Sequence, residues 1–183
     1  MGMRTLLHRP IGRFLAGFFI TAFCLQNRTL VKQVHAALRH IKPGTTILLP
    51  EDAVGPWGGG AQHLWRHIHK EAARQGVTIA LGTYSPTNHA NRYLDAIHLI
   101  GARHGTVGAR QPIPMAEWRP FDPDNSTRAT WTHLGPSLSF GRDRPAAILI
   151  CYEQLLVWPL AESFLSSIKP TVIVAPGNHW WVP

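Results

Sequence analysis

Charge is scarce in this chain of 183 residues: only 15% are Asp, Glu, Lys or Arg, where a quarter is usual. The hydrophobic share of 45% supplies apolar material for one core, so a disordered, solvating chain is excluded. Acids are scarcer than bases, 10 against 18, for a formal charge of +8. Cysteine occurs only as Cys24 and Cys151, too few and too far apart for a disulfide framework. Between Lys70 and Lys169 there is no lysine at all, and no repeat or low-complexity tract breaks the chain.

Other absences bear on placement and partners. The apolar run "FLAGFFITAFCLQN" follows Arg4, His8, Arg9 and Arg13, and it falls well short of the ~20 residues a membrane helix needs. No small-x-small cleavage site follows it, and Phe23 before Cys24 fits a lipoprotein signal poorly. We therefore read a basic lead-in over residues 1–17, then a buried strand from Phe18 to Leu25, in a cytoplasmic protein. Membrane association through this apolar segment is the alternative. The arginines are scattered, from Arg66 and Arg74 to Arg142 and Arg144, without interleaved stacking aromatics. That pattern argues against nucleic acid as a direct partner, although the charge would permit it.

Periodicity places the elements. Thr29 can cap a helix whose Leu30, Val31, Val34, Leu38 and Ile41 share one face, with Pro43-Gly44 ending it. "TTILLP" reads as a short buried strand with Glu51 at its tip, and "VGPWGGG" as a loop. A second amphipathic helix runs from Ala61 to Gln75 with Leu64, Trp65, Ile68 and Ala72 inward, closed by Gly76. Strands "VTIAL" and "YLDAIHLI" follow, then a proline-rich, aperiodic stretch from Gly108 to Arg144. Strand Ala146 to Ile150, helix Leu155 to Ile168 and strand Thr171 to Ala175 complete an alternation that argues an α/β fold.

Few motifs carry chemistry. His63 and His67 have metal-ligand spacing, but no glutamate follows His63, and Arg66 and Lys70 flank them. A solvated helix face is the better reading, and no metal is expected. "GPWGGG" lacks the Lys-Ser/Thr of a phosphate loop. Glu51 and Cys151 each follow a predicted buried strand, where parallel sheets place their chemistry. A helix start just after Cys151 would favour its thiolate, and a nearby carboxylate could take the thiol proton. Spacing alone leaves catalytic and structural cysteine as equal alternatives.

Four ordered blocks add to this reading: "ILLPEDAVGPW", "PIPMAEWRPF", "AILICYEQLL" and "VIVAPGNHWW". Their sequence resembles the nitrilase, or carbon–nitrogen hydrolase, superfamily, and the Cys-Tyr-Glu wording is closest to its apolipoprotein N-acyltransferase branch. "ARQPIP" and "CYEQLL" look most like a plasmid conjugal-transfer member of that branch. The resemblance spans Phe18 to Trp181 and implies a four-layer α-β-β-α nitrilase-like sandwich over residues 18–183, incomplete at the C-terminus, without organic cofactor.

The resemblance also implies roles. Cys151 would attack an amide, nitrile or acyl carbon of a small-molecule substrate, with Glu51 as base and Glu117 as the supporting second glutamate. The family places a lysine just upstream of the Pro-x-Gly-Glu block, and here Arg110 is the nearest cation. Tyr152, Glu153, Asn178 and Trp180 fall in the blocks that would line the substrate. The alternative is a catalytically impaired nitrilase-fold protein with a binding or structural role in conjugation. Arg110 in place of lysine and the short chain favour it. The apolar end, with Val172, Val174, Trp180 and Trp181, further implies a homo-oligomer.

Overall fold

A computed structural model of the chain describes residues 25–87, 93–115, 117, 119, 121, 138–140 and 144–177. Among these, three helices and two sheets form a mixed α/β architecture. The first helix, α1, occupies residues 25–38. It takes in Leu25, where the sequence suggested the end of a strand; the rest of that strand and the basic lead-in lie outside the described residues. Thr29 is consequently inside the helix rather than at its cap, and its hydroxyl donates to the Leu25 carbonyl one turn back, at 3.0 Å.

The first sheet is built on a long hairpin, β3 (Thr78–Pro86) and β4 (Tyr93–Gly101), paired antiparallel from Thr78↔Gly101 to Pro86↔Tyr93. On one side β3 is joined in parallel by β1 (Thr46–Leu48) and β2 (Gly55–Pro56), and on the other β4 pairs with β5 (Gly105–Gly108). The short β2 lies within the glycine-rich stretch that reads as loop in sequence. The second sheet orders β6 (Ser139–Phe140), β7 (Arg144–Ile148) and β8 (Val172–Val174), with β7 and β8 parallel.

Strand alternation sorts the first sheet's side chains into two cores. Val77, Ile79, Leu81 and Ile100 face α1 and α2 (Gly59–Arg74), packing on Val34, Leu38, Trp65, Ile68 and Ala72. Ala80, Ile97 and Leu99 face the other way, onto Ala146, Ile148 and Ile150 of the second sheet's segment. The inward residues of α2 are those that its period of 3.6 picks out. The strand expected at Ala146 to Ile150 starts and ends two residues earlier. Its last two residues continue into a five-residue 3-10 turn, Cys151–Leu155, before α3 (Val157–Leu165). No helix of the described residues is long and apolar enough to cross a membrane.

Candidate functional site

Two departures from regular strand geometry bring the site together. The first is at β1. Leu49 N donates to Ala80 O and Val54 N to Gly82 O, so the chain spends five steps between two carbonyls only two residues apart on β3. The excess is a bulge carrying Pro50, Glu51 and Asp52 over the second-sheet face of β3. Gly82 makes room for it: a Cβ there would lie 2.1 Å from Pro50 O and 2.7 Å from the Glu51 Cα. Helix α1 holds the bulge's far end, with Asn27 Nδ2 donating to Val54 O at 2.9 Å while its Oδ1 accepts from Trp65 Nε1.

The second departure is the turn after β7. Cys151 has φ 47°, in the left-handed region that L-residues avoid, and its N–H donates to Pro176 O at 3.0 Å. Glu153 fixes the turn from inside. Its Oε2 accepts from Ile150 N at 2.9 Å, and its Oε1 accepts from Gln111 N at 3.0 Å and from Arg110 N. Glu153 is 1% exposed and its carboxylate accepts three backbone N–H groups, so it braces the turn from inside.

These features place four reactive groups together. Oxygens of Glu51, Asp95 and Glu117 all lie within 4.8 Å of one another, and Cys151 interacts with each of the three. Among the described residues, the non-glycine residues with positive φ are Asp52, Met115 and Cys151, each a member of this constellation or within two residues of one. Such backbone strain persists where a surrounding structure enforces it, and it concentrates at functional sites. Glu117 is steadied by its own loop, accepting from Ile113 N at 3.1 Å.

The electrostatics are those of crowded acids in a basic protein. Burial pushes the Cys151 thiol up to about 12, and the neighbouring Glu51, Glu117 and Asp95 push the same way. The short turn that follows does not offset this, so the thiolate expected from a helix start is not favoured. Burial likewise raises Asp95 well above the usual carboxylate range, with Asp52 and Glu51 adding, and it raises Glu117. Asp52 is raised to about 7 by burial, although the Tyr84 hydroxyl donates to it and pulls the other way.

Arg110 does not supply the positive charge expected beside Cys151. Its guanidinium runs to α3, donating to Pro159 O at 2.8 Å and Ser163 Oγ at 3.0 Å and pairing with Glu162 at 3.3 Å. Tyr152 is half-buried on the cysteine turn, and Asn178 and Trp180 lie outside the described residues. Asp95 is the group that sequence reasoning passed over. Its signal was an acid inside the apolar run "YLDAIHLI", on the strand face shared with Ile97 and Leu99.

Comparison with known proteins bears on this arrangement. No family model matches the chain. It is 34% identical over 141 residues to a Sinorhizobium fredii protein described as "Probable conjugal transfer protein TraB", across 74% of this chain. It is 32% identical over 169 residues to "Conjugal transfer protein TraB" of Agrobacterium fabrum, across 85% of this chain. This chain is a relative of TraB. It spans about a third of those proteins' length, 34% and 36% respectively. The TraB likeness agrees with the conjugal-transfer resemblance carried by "ARQPIP" and "CYEQLL".

Proposed function

We propose that this chain is a carbon–nitrogen hydrolase-like, TraB-type protein acting in conjugal transfer, with Cys151 as nucleophile and Glu51 as general base. In this reading the two sheets and their flanking helices are the core of a four-layer α-β-β-α nitrilase-like sandwich. The observation that carries it is the contact between Glu51 and Cys151. It joins a buried carboxylate on a strand bulge to a thiol held at positive φ on a strand-to-turn elbow.

The chemistry balances with these two groups. Glu51 takes the thiol proton as sulfur attacks an amide or acyl carbonyl carbon, giving a tetrahedral adduct. Return of that proton to the departing amine breaks the carbon–nitrogen bond and leaves a thioester on Cys151. Water, deprotonated by Glu51, then attacks the thioester, releasing the acid and restoring the thiol. A thiol held well above neutrality needs this base at the moment of attack, because little thiolate waits beforehand. Glu117 and Asp95 would keep Glu51 oriented and share its proton.

A second reading is a catalytically impaired protein that serves conjugation by binding. It is favoured by the engagement of Arg110 with α3, which leaves no described cation beside the thiol. Incubation with p-nitrophenyl acetate and peptide mass analysis separates the two. The hydrolase reading expects an acetyl group on Cys151, formed more slowly in Glu51→Gln and absent in Cys151→Ser. Absence of acetylated Cys151 in the folded wild-type chain would favour the binding reading.

A further inference from the structure

Glu51 and Asp95 are 3% and 2% exposed, and they stand with Glu117 in one cluster. The Glu51 and Asp95 carboxyls interact by a side-chain hydrogen bond, which needs a shared proton, and the buried Glu51 Oε2 and Asp95 Oδ1 meet no other donor among the described residues. Every charged group that perturbs Asp95 is another acid, and no ion pair among the described residues reaches any of the three. Carboxylate oxygens buried without a partner cost several kcal/mol unless they are protonated or met by a cation. We infer that Glu51, Asp95 and Glu117 form a binding site for one oxygen-preferring divalent cation of the Mg²⁺ or Mn²⁺ kind.

The donor set and spacing suit such an ion. Three carboxylates are hard ligands, which select Mg²⁺, Mn²⁺ or Ca²⁺ over softer metals. Around an ion with bonds of ~2.1 Å, ligand oxygens sit about 3 Å apart when adjacent and about 4.2 Å when opposite. The three oxygens lie within 4.8 Å of one another, so slight closure brings all of them onto one ion. They come from three separate elements: the β1 bulge, mid-β4, and the loop after β5. The ion would therefore tie the first sheet to the segment that carries Glu117. With the ion bound, the Glu51 carboxylate is a ligand and is not free to take the Cys151 proton, so occupancy of this site would hold the hydrolase reading's base in check. That consequence rests on the hydrolase reading above; the ion site itself does not.

The test is uptake of Mn²⁺ by the purified chain, followed by loss of the free-ion electron paramagnetic resonance signal. Wild type is expected to take up a single ion. Glu51→Gln and Asp95→Asn should each weaken uptake by about tenfold or more, since affinity follows ligand charge. Cys151→Ser and Glu162→Gln should bind as wild type, and circular dichroism confirms that each variant is folded. Absence of uptake at millimolar Mn²⁺ in the folded chain would overturn the site. So would uptake abolished by His35→Ala but untouched by Asp95→Asn, which would move the ion to the surface group of His35, His67 and Glu71. Mn²⁺ uptake without acetylation of Cys151 in the metal-free chain would retain the ion and reject the hydrolase, and the reverse result would do the opposite.

Discussion

Gly82 and Glu51 meet backbone to backbone: a Cβ added at Gly82 would stand 2.7 Å from the Glu51 Cα and 2.8 Å from the Asp52 nitrogen. Both distances are below anything a real Cβ shows, and the obstacle is main chain that cannot rotate away. Gly82→Ala is therefore expected to push the bulge off β3, costing about 1–3 kcal/mol. The same shift should slow acetylation of Cys151, because Glu51 moves with its bulge. Denaturant melts and the labelling rate check the two effects together. A variant with wild-type stability and rate would show that the bulge does not depend on this contact.

Much of this arrangement was legible in the sequence, and the exceptions have physical causes. Apolar periodicity locates α2, β3, β4 and β7, because burial on one face leaves a period that residues cannot hide. Glu51, Glu117 and Cys151 were legible as blocks. The fate of Arg110 was not: its direction depends on α3, fifty residues onward, which local spacing does not report. The bracing by Glu153 was not legible either, since only the folded chain brings the Arg110 and Gln111 N–H groups to its carboxylate. Asp95 was hidden because a single acid in an apolar strand gives no spacing signal at all.

His98 gives a pH dependence with a definite sign. It lies between Ser85 Oγ at 2.6 Å and Thr106 Oγ1 at 2.8 Å, and it stacks on Trp57. Burial pushes it down from 6.5 to about 4, so the folded chain gives up a proton that the unfolded chain keeps. Its effect is nil above about 6.5, and stability falls as pH drops from there toward 4. After discounting for partial exposure the loss is about 2 kcal/mol. Asp52, raised to about 7, acts in the opposite direction, so the difference between wild type and His98→Gln is the quantity to measure. The variant should show the shallower acid-side decline; parallel curves would refute the assignment.

Glu153→Gln tests the brace beneath the cysteine turn. The carboxylate satisfies three backbone N–H groups, from Ile150, Arg110 and Gln111. Glutamine offers one acceptor oxygen and turns an NH₂ toward the remaining donors. At least one buried N–H then loses its partner, for an expected loss of about 2–4 kcal/mol. A urea midpoint unchanged within error would mean that the turn keeps its shape without the carboxylate.

Arg110→Lys separates a structural arginine from a catalytic one. The planar guanidinium reaches Pro159 O, Ser163 Oγ and Glu162 at once, which a single ammonium cannot reproduce. Loss of that fork should lower stability by about 1–3 kcal/mol, chiefly by loosening α3. The backbone N–H of residue 110 still reaches Glu153, so the cysteine turn stays in place. Acetylation of Cys151 should then remain within about twofold of wild type. Were Arg110 the oxyanion's cation, its replacement would instead cost the reaction on the order of a hundredfold, as loss of a donor at such a site does. Lysine is also what the resembled family carries near this position. A rate gain in Arg110→Lys would show that the side chain can swing from α3 to the thiol, and would return residue 110 to the site.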